Sequence, residues 1–426
     1  MPTTSLLAEL SWRGLLYQHT DGLEAALSAG RLTAYCGFDP TAASLHVGSL
    51  VPVMGLVHLQ RAGNVPIALV GGGTGMIGDP SGKASERQLQ TREVIEANSR
   101  AIGAQLARFL DFTGPSAAIM GDNADWLLPL GAVEMLRDVG KHFTVNYMLA
   151  KESVKARLEG GISFTEFSYM LLQAYDYLQL HQRHGATLQI GGSDQWGNIT
   201  AGIELIRRVT GHDAHALTLP LVTTAAGTKF GKTEAGAVYL DPAMTSPYKF
   251  YQFWINADDR DVSRWLRFFT LLDRETIESL DRETQEHPER RSAQRTLAED
   301  MTTRVHGADA LRTAAEVSAL LFGGGDPSAL SAQALEALAA EIPFAHAKWA
   351  RADGNGRSLG LQDALVSAHL ATSKSDARRT IQQGGVTVNG VRASGDAPVV
   401  PEQCLHGSYV LLRKGARNYA LLHMED

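Results

Sequence analysis

The sequence predicts an α/β protein in three parts: a parallel-sheet domain, an all-helical domain and a small α+β domain. Three observations carry this. In the first half, short β-rich runs alternate with helical patterns, as a parallel sheet covered by helices requires. From Pro242 to about Gly323 the strand signals vanish, and charged, Ala- and Leu-rich helical segments take over. After Arg357 strand signals return around a basic helix. In chain order, the predicted strands are 33–38, 66–72, 117–121, 186–191 and 217–222. Between them lie periodic segments such as Leu50, Val53, Met54 and Val57, whose i, i+3, i+4, i+7 spacing marks one helix face. Gly323-Gly324-Gly325-Asp326-Pro327 breaks the helical part, and 351–357 reads as a hinge. The expected domains are 1–234, 235–325 and 357–426, with 326–356 as a linker.

Composition narrows the function classes. A chain of 426 residues, 44% hydrophobic and 20% charged, can bury sizeable cores. The formal net charge of -7 argues against a general polyanion binder, so any nucleic-acid contact must rest on local clusters of Lys and Arg. Cys36 and Cys404 suggest no disulfide framework. Met1-Pro2-Thr3-Thr4-Ser5 lacks the basic start and apolar run of a signal peptide, and no run suits a membrane span. A cytoplasmic protein is expected.

The strand 33–38 leads into Asp39-Pro40-Thr41, then Ser44-Leu45-His46-Val47-Gly48-Ser49 and a helix. In an open parallel sheet, ligands bind beyond the carboxyl ends of strands, where helix N-termini point at phosphates. A His there can donate to a phosphate as charge develops, and Gly48 lets a nucleotide base approach the backbone. Taken alone, His-x-Gly reads more simply as a helix start. The run from Val70 to Lys83 holds glycines at 71, 72, 73, 75, 78 and 82, so its backbone comes close to something. It is neither the dinucleotide nor the P-loop pattern. Asp79 can pair with an ammonium group, and Lys83 and Arg87 can meet phosphate; a surface loop is the alternative.

Phe164, Phe167, Leu171, Leu172, Tyr175 and Leu178 mark the expected buried face of a helix. Tyr169, Gln173 and Asp176 share the opposite face, and Asp176 is the only formally charged residue between Phe167 and Gln182. A face that polar yet uncharged suits a pocket that hydrogen-bonds a small ligand better than it suits solvent. Gln189-Ile190-Gly191-Gly192-Ser193-Asp194-Gln195-Trp196 again puts glycines and a carboxylate after a strand, an arrangement that suits a ribose. Gly227-Thr228-Lys229-Phe230-Gly231-Lys232-Thr233 is a loop whose lysines could close over a pyrophosphate.

In order, spacing and wording, these segments resemble the bacterial-type tyrosyl-tRNA synthetases, essentially end to end. The resemblance implies a class I Rossmann-type catalytic domain, a helical anticodon-binding domain and an S4-like RNA-binding domain. It implies that Tyr35 and Asp176 bind a tyrosine hydroxyl, that Asp79, Tyr169 and Gln173 hold its ammonium, and that Gln195 lies near its carboxylate. Cys36, Gly37, Gly192 and Asp194 would contact the adenylate, with Asp39 alongside. Thr41, His46, Lys83, Arg87, Lys229, Lys232 and Thr233 would stabilise the departing pyrophosphate.

Two departures from the family pattern stand out. Ser49 replaces a frequent second His of the first signature, so any contact from that His is weaker or absent. The second signature reads Lys-Phe-Gly-Lys-Thr instead of Lys-Met-Ser-Lys-Ser, with both lysines kept. The tail from Thr372 to Gly390 resembles an S4 fold, and Lys374, Arg378 and Arg379 on its helix could track a phosphate backbone. The implied partners are tRNA(Tyr), L-tyrosine and ATP with Mg2+ as a substrate complex, in a homodimer without membrane contact or a resident structural metal. A tryptophanyl enzyme fits less well, since Tyr35 and Asp176 would stay unpaired against an indole. An RNA-binding relative without catalysis is disfavoured by the retention of Asp79, Asp176, Lys229 and Lys232.

Overall fold

Short Val-, Ile- and Leu-rich runs buried on both faces make the central strands of an open sheet. The computed structural model describes residues 5–81, 89–151, 154–155, 158, 160–228, 230–233, 236–351 and 357–425; of residues 232, 233 and 351 only the backbone is described. Within them lie β1 (Gln18–His19), β2 (Thr33–Phe38), β3 (Val65–Val70), β4 (Ile119–Asp122), β5 (Ala186–Gly192) and β6 (His215–Leu219). Their order is β1-β6-β5-β2-β3-β4, parallel except for the antiparallel edge β1. The first two crossovers run one way from β2 and the next runs back to its other side. The switch point therefore falls between β2 and β5, where ligands bind in such sheets.

By its internal contacts the chain divides into two units: Met1–Thr245 with Trp254–Val305, and Ser246–Phe253 with His306–Asp426. In the first, the helix Leu50–Arg61 is buried along most of its length, and Gly55 lets it sit against Leu219 and Ile190 of the sheet. The helices Phe164–His184 and Trp196–Thr210 pack through Gly202, whose missing side chain makes room for the Tyr177 ring. Ser163 caps the former by accepting from the Glu166 amide, and Gly185 ends it at φ 64°. The hairpin β7 (Lys232–Thr233) with β8 (Gly236–Ala237) follows the sheet. Beyond it, the helices Asp259–Phe269 and Arg274–Glu286 begin on aspartate caps, Asp258 and Asp273.

The burial of the helix Phe164–His184 departs from expectation. Its most buried residues include Tyr169, Asp176 and Tyr177, whereas Phe164 is 77% exposed and Phe167, Leu171, Leu172 and Tyr175 are only half-buried. The polar face lines an internal cavity and so is withdrawn from water, which leaves part of the apolar face at the surface.

In the second unit the sheet order is β13-β12-β14-β15-β9: β9 (Phe344–Lys348), β12 (Val386–Val388), β13 (Val391–Arg392), β14 (Tyr409–Lys414) and β15 (Asn418–Glu425). β10 (Ala350–Arg351) pairs separately with β11 (Arg357–Ser358). One sheet face holds Val386, Val410, Leu412, Ala420 and Leu422 against the helices Leu361–Ser367 and Lys374–Gln382. The other holds Leu411, Tyr419 and Leu421 against Val317, Leu320, Leu335 and Leu338. The small sheet therefore reaches outside the expected domain 357–426: it draws in β9 from the expected linker, and it is covered by the helix Ala308–Gly323. A sheet with two apolar faces needs both covered. The expected hinge falls largely on residues 352–356, outside the described residues. The basic helix then turns through Gly384 (φ 66°) into β12, as the tail pattern implies. Among the described residues, no helix is long and apolar enough to cross a membrane.

Candidate active site

Beyond the carboxyl ends of β2 and β5 lies a cavity of about 320 Å3. Its lining includes Tyr35, Cys36, Gly37, Asp39, Thr41, His46, Ser49, Asp79, Tyr169, Gln173, Asp176, Gly192, Asp194 and Gln195. Fourteen of the residues expected for the tyrosine and ATP site are thus gathered in one place. Gly48 sits beside them in the turn Val47–Ser49, where the room left by its missing side chain is taken by the His46 ring, 2.8 Å from an added Cβ. Lys83, Arg87 and Lys229 lie outside the described residues. Lys232 and Thr233 form β7, and only their backbone is described.

Asp176 is 3% exposed, and each of its oxygens accepts one hydrogen bond. Trp126 Nε1 donates to Oδ1 at 2.7 Å and Asn123 Nδ2 to Oδ2 at 2.8 Å. Burial pushes this carboxyl up to about 8; those two donors oppose the shift, and the Asp39 and Asp122 charges add to it. Tyr35 is 1% exposed, and its hydroxyl makes no hydrogen bond among the described residues. Gln189 Oε1, also at the cavity wall, is likewise buried and unbonded there. Buried polar groups without partners cost free energy, so the cavity is built to receive a polar group in that place.

Along the same wall, Asp39 Oδ1 accepts from Thr74 Oγ1 at 2.8 Å and Oδ2 from Tyr169 Oη at 2.9 Å. Asp79 Oδ2 accepts from Gln195 Nε2 at 2.6 Å, and Asp79 Oδ1 from the Ser81 amide at 2.9 Å. Asn198 Nδ2 donates to Gln173 Oε1 at 3.0 Å and reaches Gln195 Oε1 at 3.4 Å, which joins Gln173 to the Asp79–Gln195 pair. Asp39, Asp79 and Asp194 line the cavity together with Asp176, an acidic set that favours a cationic ligand group. Burial pushes the Cys36 thiol up to about 12, so it stays protonated and is no nucleophile.

The glycine run turns out to make room for the protein's own side chains. A Cβ on Gly71 would collide with Asp39 and Thr74, one on Gly72 with Asp122, and one on Gly75 with Pro40. Gly37 differs: an added Cβ there meets nothing within 4 Å, on a residue that lines the cavity. The two signature segments are joined through the main chain. The Val47 amide donates to Val238 O, the Val238 amide to Gly231 O, and Gly231 (φ 77°) lies against Val47. Phe230, 4% exposed, stacks on Phe269 at 5.1 Å and meets the edge of Trp265 at 4.9 Å, which roots the lysine loop in an aromatic cluster.

Sequence reasoning missed Asn123, Trp126, Thr74, Gln189 and Asn198. Asn123 had a signal: it directly follows β4, at the carboxyl end where this kind of sheet places its ligands. In the second unit, Lys374, Arg378 and Arg379 are exposed on their helix. Lys374 pairs with Asp363 at 2.6 Å and Arg379 with Asp376 at 2.9 Å.

Comparison with known proteins agrees with this geometry. The model of tRNA synthetases class I (W and Y) matches residues 27–323, and that of the tyrosine–tRNA ligase SYY-like C-terminal domain matches 340–422. The chain is 57% identical over 419 residues to the tyrosine–tRNA ligase of Anaeromyxobacter dehalogenans, covering 98% of this chain and 99% of that one. Against the tyrosine–tRNA ligase of Geobacillus stearothermophilus it is 54% identical over 423 residues, with the same coverage. A solved structure of a C-terminally truncated mitochondrial tyrosyl-tRNA synthetase from Aspergillus nidulans superposes with TM-score 0.68 at 30% identity, covering 75% of this chain and 94% of that one. The chain therefore belongs to the tyrosine–tRNA ligases, within the class I tRNA synthetases.

Proposed function

We propose that this chain activates L-tyrosine with ATP and loads it onto the 3′ end of tRNA(Tyr). One observation carries the reading: a buried carboxylate, Asp176, and an unpartnered buried phenol, Tyr35, meet the same polar cavity. A tyrosine hydroxyl donates to the carboxylate and accepts from Tyr35. An aromatic side chain without that hydroxyl leaves both unpaired. Asp79, held by Gln195, and Tyr169 with Gln173 receive the ammonium. The tyrosine carboxylate attacks the α-phosphorus in line, and pyrophosphate leaves with the electrons of the broken P–O bond. A ribose hydroxyl of the tRNA end then attacks the adenylate carbonyl carbon, and AMP departs. No protein side chain forms a covalent bond; positioning and electrostatic fit to the transition state carry the rate.

At the nucleotide end, Cys36, Gly37, Asp39, Gly192 and Asp194 take the ribose and adenylate. Thr41, His46, Lys83, Arg87, Lys229, Lys232 and Thr233 stabilise pyrophosphate, with Mg2+ arriving bound to ATP. The helical segment 235–325 reads the anticodon end, and the C-terminal sheet domain holds tRNA through Lys374, Arg378 and Arg379. The site of action is the cytoplasm. We also assign a homodimer: Val133, Leu136, Val145 and Phe164 are 62–77% exposed, apolar surface that a second copy of the chain would cover.

ATP–pyrophosphate exchange run with each amino acid in turn tests the reading. Exchange should depend on tyrosine; equal exchange with phenylalanine or tryptophan overturns it. Lys232→Ala should slow adenylation with tyrosine affinity nearly unchanged. Neutralising Lys374, Arg378 and Arg379 together should weaken tRNA binding and flatten its salt dependence while exchange persists.

A further inference from the structure

We infer that the C-terminal sheet carries a divalent transition-metal site, formed by His346, His423 and Glu425. β9 runs parallel to β15 with His346 directly opposite His423. Side chains alternate across a strand, so Glu425, two residues beyond His423, shares that face. The core assignments agree. Ala420, Leu422 and Met424 turn to one core with Ala345 and Ala347, whereas Tyr419 and Leu421 turn to the other, and His423 and Glu425 continue their row.

One ligand atom from each of the three residues lies within 4.8 Å of the other two. His346 Nδ1 and Glu425 Oε1 are already 2.8 Å apart, while the His346 and His423 rings stand 5.3 Å apart. Zinc bonds of roughly 2.0–2.2 Å put neighbouring ligand atoms about 3.4 Å apart in a tetrahedron. Small rotations of the half-exposed His346 and Glu425 side chains close the difference.

A simple ion pair accounts for only two of these groups. The His423 ring meets the edge of Tyr409 at 5.1 Å, but its Nδ1 is shielded from solvent and makes no hydrogen bond among the described residues. Two imidazoles and one carboxylate suit Zn2+, with Ni2+ and Cu2+ as competitors, and leave a fourth position for water. β9 is an edge strand that runs parallel to its neighbour β15, so a cation shared with β15 would clamp it in place.

The test is calorimetric titration of the full-length chain with ZnCl2 in the absence of ATP, compared with His346→Gln, Glu425→Gln and, in the first unit, the control His181→Gln. His346 and Glu425 are exposed enough for their variants to fold, and circular dichroism checks this. One saturable zinc per chain is expected, with a rise in Tm on binding. His346→Gln and Glu425→Gln should each weaken binding by at least roughly tenfold, the loss seen even for groups that only orient zinc ligands. His181→Gln should bind like the parent. Absence of saturable binding, binding indifferent to the two site variants, or an equal loss in His181→Gln overturns the site.

Discussion

The two ends of the catalytic cavity are built from different materials. The closed end is side chains: Asp176 held by Trp126 and Asn123, Tyr35 waiting beside it, Asp79 held by Gln195. The open end is main chain and small residues: Gly37 with nothing over it, Gly192 against Asp194, and His46 lying across Gly48. The difference follows from what each end must recognise. One hydroxyl distinguishes tyrosine from phenylalanine, and only a fixed, desolvated hydrogen-bonding pair reads one hydroxyl. Ribose and phosphate need close backbone approach and charge supplied at the right moment, which glycines and a lysine loop provide.

Substitutions at the closed end should therefore cost most. Above pH 8, where Asp176 is ionised, Asp176→Ala removes a hydrogen bond to a charged group, a loss of about 1.5–3 kcal/mol, and kcat/KM for tyrosine in pyrophosphate exchange should fall roughly 10- to 150-fold. Asp79→Asn keeps the shape but removes the charge that meets the ammonium; tyrosine KM should rise about tenfold, with KM for ATP unmoved. If ATP suffers instead, the ends have been assigned the wrong way round.

The pH dependence sharpens the contrast. Asp176 is raised from its ordinary 3.8 to about 8, so the folded chain keeps a proton that the unfolded chain loses. This group's contribution to stability therefore falls as pH rises from about 4 to about 8. Tyrosine donating to the ionised form should bind more tightly as pH rises from 6 to 8, by up to about tenfold per unit, and then level off. Equilibrium binding measured across that range checks it, and Asp176→Asn should be flat. Tyr35→Phe deletes one neutral hydrogen bond, about 0.5–1.5 kcal/mol, so kcat/KM should fall roughly 2- to 10-fold. Gly37→Ala should be the mildest. Its methyl meets no protein atom, so the fold is kept and KM for ATP should rise while tyrosine binding holds.

Much of the first unit was legible because its chemistry sits where sheet topology puts it. The expected strand 33–38 coincides with β2, and β3 and β5 lie within two residues of expectation. The uncharged face of Tyr169, Gln173 and Asp176 correctly signalled a pocket. The supports were harder to read. Trp126 and Asn123 belong to no motif, and only the fold brings them to Asp176, 50 and 53 residues on. Phe164 looked buried because a helical apolar stripe usually meets its own core; here the polar stripe does. The reach of the C-terminal sheet was hidden because β9 pairs with a strand more than 70 residues away. The same separation hid His346 from His423, and no spacing pattern connects them.

The central claim is that the closed end reads the phenolic hydroxyl through Asp176. The most direct measurement is the ratio of kcat/KM for tyrosine over phenylalanine in pyrophosphate exchange, in the parent and in Asp176→Asn. A large ratio in the parent that collapses in the variant, chiefly through loss of tyrosine activity, is the predicted result. A ratio that survives the substitution would mean that the hydroxyl is recognised elsewhere, and the account of the cavity would be wrong.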